Sequence, residues 1–449
     1  MSRAIVIGGG ISGIAAATQL SARGFETIIL EADTTLGGRM GIRKDGETDV
    51  DLGGRNFSSH DTHLVQLLGT LGVSEFTRYQ INSVSVGTRR PFDMRTDGSL
   101  GTRAARALRN VLSAGPLDLL RLRGVVSAAR ADSPRGVVGG PYWVRLAEDY
   151  GDPAASSFFG SAVADHVLRP WTLRMMAAEP EEVYLGNLGP LLGRAPGPLH
   201  RVQGGMARVA RAVHDRFDVR LGHAVERVVI TDGRVTGVLG VTVGGKRFDE
   251  GAELVAVATP ATIAADVLSS VAPLARELRN IEYRPVATAV VEYSDIHFPG
   301  NVGGLFLPRG SALSHVAKYD DSNRVRFSFA GVAARRAMSE CSIERLVHLG
   351  EQAFQDVGGR LGQRRSFAGN VWRPGLCGQS WMHHRTLQSL TEHGKLVRGL
   401  ALAGDYLRGN SLEACVIAAE ESVRRLLDEP RASVTQGARS RGLSDLASP

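Results

Sequence analysis

The sequence predicts an α/β fold in two interleaved parts, one built on a parallel sheet and one of antiparallel sheet plus helices. Three observations predict it. Residues 4–32 read as strand, glycine turn, helix and strand; strand-and-helix patterning returns near 200–268 and at 400–427; the runs between 283 and 331 are short, aromatic-containing and β-rich. At 449 residues the chain is also too long for one compact core.

The opening stretch AIVIGGGISGIAAATQLSARGFETIILEA carries the first chemistry. Ala4 to Ile7 is an apolar run suited to a strand buried on both faces. Ile11 to Arg23 is helical in pattern, with Ile14, Ala17 and Leu20 on one face, and Phe25 to Leu30 is a second strand. Gly8, Gly10 and Gly13 fall at the positions of a dinucleotide fingerprint. There the first lets the chain turn, the second admits a diphosphate to the backbone, and the third lets helix and strand pack closely. The unpaired N–H groups of the first helical turn, at Ile11 and Ser12, then face the diphosphate. Glu31, followed by Ala32, ends the second strand about 20 residues on, where a carboxylate accepts hydrogen bonds from a ribose diol. With 54 glycines in the chain the motif alone is weak; strand before, helix after and acid in place make it specific.

The later elements follow in order. Residues 33–56 are loop-like, with two further Gly-Gly-Arg segments, and 62–80 read as a helix (Leu64, Leu67, Leu68, Leu71) and then a loop. From 82 to 200 the pattern is mostly helical. Within it, 105–126 is apolar on one side with Arg106, Arg109, Arg121 and Arg123 around it, split at Gly115-Pro116. Residues 201–217 read as turn and helix, 219–241 as strands around an Asp-Gly turn, and 253–268 as a buried strand leading to a helix. After the β-rich runs come a helix at 342–356, a strand at 366–372, and strand, glycine turn and helix at 400–427. One domain is therefore expected from 1–80, 200–268 and 385–428. The second is expected from a helical part, 81–199, and a sheet part, 269–384, with a disordered tail at 429–449.

Composition narrows the partners. The net charge is +7, yet lysine occurs only at 44, 246, 318 and 395, and no basic run is interleaved with aromatics as in a nucleic-acid module. No apolar run reaches the roughly 18 residues of a spanning helix. The segment 105–126 reads as a helix packed on its own domain, with contact at an anionic membrane surface the weaker reading. Cys341, Cys377 and Cys415 form no disulfide framework, and the first strand leaves no room for a signal peptide, so a cytoplasmic protein is expected. No metal spacing stands out. His383 and His384 are adjacent and face different ways, as structural or surface residues do. Oligomeric state is not legible.

On GGGISGIAAATQL, EADTTLGGR, DVDLGGRN, VQGGMARVARAV, VATP and AGDYLRGNSLEACV, the chain resembles the FAD-dependent amine oxidase, protoporphyrinogen oxidase and phytoene desaturase superfamily. The resemblance implies a Rossmann-like FAD-binding domain of the glutathione-reductase type and an interleaved substrate domain. It implies that Arg39, after Gly38, pairs with the diphosphate, and that Gly54, Arg55 and Asn56 lie beside the isoalloxazine. It further implies that Val228 offers its backbone to the adenine and that Gly404 and Asp405 contact ribityl and diphosphate oxygens. The helix starting near Ser411 or Leu412, with Ala414 in its first turn, would face the flavin N1–C2=O edge.

Departures from the family matter too. Monoamine oxidases bond the flavin through a cysteine; counted from Trp372 that position is Trp381 here, and Cys377 falls short, so non-covalent FAD is expected. No lysine follows the VATP strand at the place where the family's would be expected, and Ser411 stands where a tyrosine flanks the amine, which favours the protoporphyrinogen oxidase and desaturase branches. The implied reaction is hydride removal from a small or medium hydrophobic metabolite, giving an imine or alkene, with dioxygen as acceptor. A flavin-dependent isomerase or mutase and a non-catalytic flavoprotein remain alternatives. No residue is named catalytic. Asn56, Trp372, Trp381, Met382 and His384 are expected to line the pocket, with Arg169, Trp171, Tyr293 and Phe329 as candidate walls.

Overall fold

A computed structural model describes residues 2–428 except 47, 81, 87–91, 94, 96, 97, 134, 194–197 and 321. The tail expected to be disordered, 429–449, lies outside the described residues. Strand β1 (Arg3–Ile7), helix α1 (Ile11–Ser21) and strand β2 (Glu26–Leu30) form at the N-terminus. In the five-stranded parallel sheet the order is Leu400–Leu402, Leu254–Val257, β1, β2 and Asp218–Arg220, so distant stretches of chain supply it. Ile5 sits in register with Val255 on one side and Ile28 on the other. Alternate residues feed two cores: Ala4 and Val6 pack toward α1, while Ile5 and Ile7 pack toward the helix Ala261–Val267. Burial on both faces is why β1 and β2 read as unbroken apolar runs.

α1 differs from expectation. Instead of one buried face, all of Ile11–Thr18 and Leu20 are buried, because the helix Leu412–Asp428 covers its outer side. That terminal helix is fixed from its first turn. The Glu413 carboxylate, 4% exposed, accepts from the backbone N–H of Leu64 at 2.7 Å and of His63 at 3.2 Å, capping the helix Thr62–Thr70 from 350 residues away in sequence. Glu413→Ala is expected to cost about 1.5–3 kcal/mol, the range for bonds to a charged group, read as a lower urea midpoint at unchanged slope.

The antiparallel sheet has the order Arg364–Cys377, Tyr283–Tyr293, Arg324–Phe329, Leu313–Lys318, Gly304–Phe306 and Ser83–Ser85. Val325, Phe327 and Phe329 turn one face into a core with the helices Val332–Glu340 and Ile343–Asp356. Arg324, Arg326 and Ser328 alternate onto the other face.

Several sequence expectations are corrected here. Ser83–Ser85, read as part of the helical block, pairs with Gly304–Phe306. Phe76–Tyr79, read as loop, is a strand because Leu199–Val202 lies beside it. The segment around 105–126 forms helices Leu100–Ala114 and Pro116–Asp132, parted at Gly115 (φ +81°). Arg106 is not on their outer side; it is buried and paired with Asp93 at 3.2 Å. Leu108, Leu112, Leu117 and Leu120 are exposed instead. Among the described residues, no helix is long and apolar enough to cross a membrane.

Candidate functional site

The turn between β1 and α1 opens the site. Gly10 is the N-cap of α1, with no side chain capping it and no acid in the first turn. The N–H groups that no intrahelical carbonyl reaches therefore stay available to an outside acceptor. A Cβ on Gly10 would meet nothing within 4 Å, whereas one on Gly13 would stand 1.9 Å from the Gly8 oxygen. Beside the turn, Glu31 accepts from Gly9 N–H at 2.6 Å and from Asp33 N–H at 2.8 Å. Burial pushes its carboxyl pKa up against the pull of those N–H groups.

Arg39 crosses from this turn to the C-terminal unit. Its guanidinium pairs with the Asp405 carboxylate and donates to the Gly375 carbonyl at 3.0 Å. Asp405 also accepts from the Tyr283 phenol at 2.7 Å. Burial, then the Asp405 charge, holds that phenol well above its usual range, so it remains a donor. The two Gly-Gly-Arg segments lie side by side, with Gly54 N–H on the Arg39 carbonyl at 3.2 Å. In the neighbouring first turn of the helix Leu412–Asp428, burial and then Asp405 push the Cys415 thiol up to about 12.

These pieces line one cavity of about 920 Å³. It begins at Gly10, Ile11 and Ser12, passes Arg39, Asp405, Ser411, Leu412 and Trp372, and ends among Phe306, His315, Arg326 and Phe329 under the antiparallel sheet. An uncapped helix start with free approach, a guanidinium opposite it and a ring-sized chamber beyond fit a dinucleotide-linked cofactor.

The sequence profile of the flavin containing amine oxidoreductases matches residues 11–427. The chain belongs to this family. Locally it is 40% identical over 81 residues to the flavin-containing amine oxidase B of Bos taurus, covering 18% of this chain and 15% of that one. To the L-amino-acid oxidase of Mus musculus it is 36% identical over 85 residues, covering 18% and 14%. The chain thus matches only about a seventh of the length of these curated relatives. Among solved structures it resembles a protein assigned as a protoporphyrinogen oxidase from Exiguobacterium sp. 255-15, with TM-score 0.71, 18% identity and coverage of 95% and 98%. The cyclohexylamine oxidase of Brevibacterium oxydans IH-35A gives TM-score 0.68, 18% identity and coverage of 95% and 99%. These likenesses establish the fold: mixed α/β, with parallel and antiparallel sheets.

For a flavin containing amine oxidoreductase, the placement of the expected residues is informative. Gly10, Ile11, Ser12, Arg39, Gly54, Arg55, Asn56, Asp405, Ser411 and Leu412 share the cavity wall. Gly8, Gly13, Glu31, Ala32, Gly38, Val228, Gly404 and Ala414 do not. Gly8, Gly13 and Gly404 shape the turns behind it, and Ala414 N–H bonds the Ser411 hydroxyl at 3.1 Å. Val228 is fully buried in the strand His223–Thr231, which lies at the edge of its sheet.

Among the pocket residues, Asn56, Trp372, Trp171 and Phe329 reach the cavity. Trp381, Met382 and His384 do not, because their segment leans on the helical block. The Trp381 indole donates to Gly151 O at 3.1 Å, and Met382 N–H to Asp152 at 2.6 Å. Arg169 instead forms a buried pair with Glu179 at 2.6 Å, and Tyr293 bonds Glu351 at 2.8 Å, so both are core rather than wall. His383 and His384 are buried. Sequence reasoning missed Tyr79, Arg174, Arg201, His315 and Arg326, all on the wall.

Proposed function

We propose that this chain is an FAD-dependent oxidase or dehydrogenase of a small or medium-sized, largely apolar metabolite. Bound FAD would supply the hydride acceptor for a C–H bond next to nitrogen or carbon, with dioxygen as terminal oxidant and an imine or alkene as product. The observation that carries the reading is the single cavity running from the start of α1 to the antiparallel sheet.

In this reading, Gly10, Ile11 and Ser12 and the Arg39 guanidinium hold the diphosphate, Glu31 the ribose, and the Val228 edge the adenine. Gly54, Arg55, Asn56, Ser411 and Leu412 border the ring. Residues 1–80, 200–268 and 385–428 form the cofactor domain, and the rest of 81–384 the substrate domain. Trp171, Phe306 and Trp372 exclude water from the reacting carbon. The cofactor is held without a covalent bond: Trp381 faces away from the cavity, and the Cys415 thiol is kept protonated. The free cysteines Cys341, Cys377 and Cys415 favour a cytoplasmic location.

The test is direct. Purified protein is expected to be yellow and to release FAD on acid denaturation. Anaerobic addition of a substrate from a panel of amines, amino acids and polyenes should bleach it, and readmitted air should restore the colour with one peroxide per turnover. Protein that stays colourless and takes up no FAD would sink the reading.

A further inference from the structure

The half of the cavity beneath the antiparallel sheet is lined by Arg55, Arg174, Arg201, Arg326 and Lys318. Among the described residues, none of the four arginines stands within ion-pair distance of a carboxylate; they lean on neutral oxygens instead. Arg55 and Arg201 converge on one acceptor, the Tyr319 carbonyl, at 3.1 and 3.0 Å. Arg326 donates to Leu52 O at 2.8 Å and Gly53 O at 3.2 Å. Arg174 bonds the Tyr79 phenol. Arg55 is 7% exposed, and its Nε finds no acceptor.

Guanidiniums that are buried, as Arg55 is, or half-buried, as Arg174, Arg201 and Arg326 are, carry a desolvation cost that shared carbonyls only partly offset. Burial and then mutual repulsion push Arg326 down to about 9 and Arg201 to about 10. The charge of Asp51 reaches Arg55, Arg201 and Arg326 without forming an ion pair with any of them. Asp51 spends Oδ1 on Met206 N–H at 3.0 Å, and Asp61 accepts from Ser58 N–H at 3.0 Å. His315, held well below its usual range by burial and by Arg174 and Arg326, stays neutral. A diphosphate has its own place at the other end, by α1 and Arg39.

We propose that this wall binds a carboxylate of the substrate, so that the metabolite oxidised is an organic acid with an apolar body rather than a plain amine. Guanidiniums suit that task because their planar forks match the two oxygens of a carboxylate. The apolar body would lie on Phe306 and Trp171. The inference rests on the reading of the cavity as the substrate site.

Calorimetric titration of the purified protein with phenylacetate, phenylacetamide and phenethylamine tests it, with the visible spectrum recorded in parallel. Phenylacetate is expected to saturate one site, with the isosteric amide and the amine about tenfold weaker or worse. Arg201→Gln, which can keep a bond to Asn56, is expected to weaken phenylacetate about tenfold at unchanged FAD content, and Arg201→Lys to recover part of it. Equal affinity for phenylacetate and phenylacetamide in the parent would overturn the proposal. So would a folded Arg201→Gln that shifts the flavin potential but binds phenylacetate as before. Colourless protein that still prefers phenylacetate would refute the flavin reading and leave the carboxylate site standing.

Discussion

Gly10→Ala is expected to leave the folded protein as stable as its parent and to weaken flavin binding by about 10- to 100-fold. Gly10 sits at φ −76°, ψ 177°, which any residue adopts, and its added Cβ would meet nothing within 4 Å. The folded protein therefore has no reason to object. The methyl group would instead occupy the approach by which a diphosphate reaches the first N–H groups of α1. Losing one hydrogen bond to a charged group costs about 1.5–3 kcal/mol, which converts to roughly that range of affinity. Gly13→Ala is the contrast: its Cβ would stand 1.9 Å from the Gly8 oxygen, so loop and helix must part. There, stability and flavin are expected to fall together. Urea unfolding of the apoprotein and fluorescence titration with FAD separate the two cases. If Gly10→Ala binds FAD as the parent does, the diphosphate lies elsewhere.

The difference between these glycines shows what a sequence can display. The β1–α1–β2 unit was legible because its determinants are local: two strands buried on both faces, a turn that demands glycine, and an acid one strand later. Arg39 and Asp405 were legible only through family resemblance, since 366 residues separate them. Of the cationic wall only Arg55 was named, and that through the family resemblance; Arg174, Arg201 and Arg326 were not legible. In RVRFSF, residues 324–329, strict alternation reads as a strand with one face in solvent. That polar face looks instead into a chamber closed by Leu52–Arg55, Arg201 and Tyr319, which come from remote parts of the chain. Periodicity reports that a face is polar; it does not say whether water or a ligand meets it. The same limit explains Trp381, Met382 and His384. They follow Trp372 closely in the sequence and were expected on the pocket wall, but Asp152 draws their segment toward the helical block. Phe76–Tyr79 was missed for a smaller reason: four residues with an exposed middle become a strand only when a partner lies alongside.

Arg39→Met is expected to cost the apoprotein about 3 kcal/mol and to abolish stoichiometric flavin binding, two effects with separate origins. The Asp405 side chain is 2% exposed and has two charge-stabilising donors, Arg39 and Tyr283. Removing the guanidinium strands a buried carboxylate on one neutral phenol, and breaking such pairs costs about 3–5 kcal/mol. The low end applies because the Arg39 side chain is 27% exposed, so water can partly replace it. If the loss were purely structural, removing the stranded charge as well should reverse it. Arg39→Met combined with Asp405→Asn is therefore expected to regain most of the stability, as a double-mutant cycle in urea would show. It should not regain the flavin, because the missing charge opposite the start of α1 is still missing. A double variant that recovers both would mean that Arg39 only steadies Asp405. One that recovers neither would mean that the pair anchors the strand Arg364–Cys377, through the Gly375 carbonyl, more than it serves any ligand.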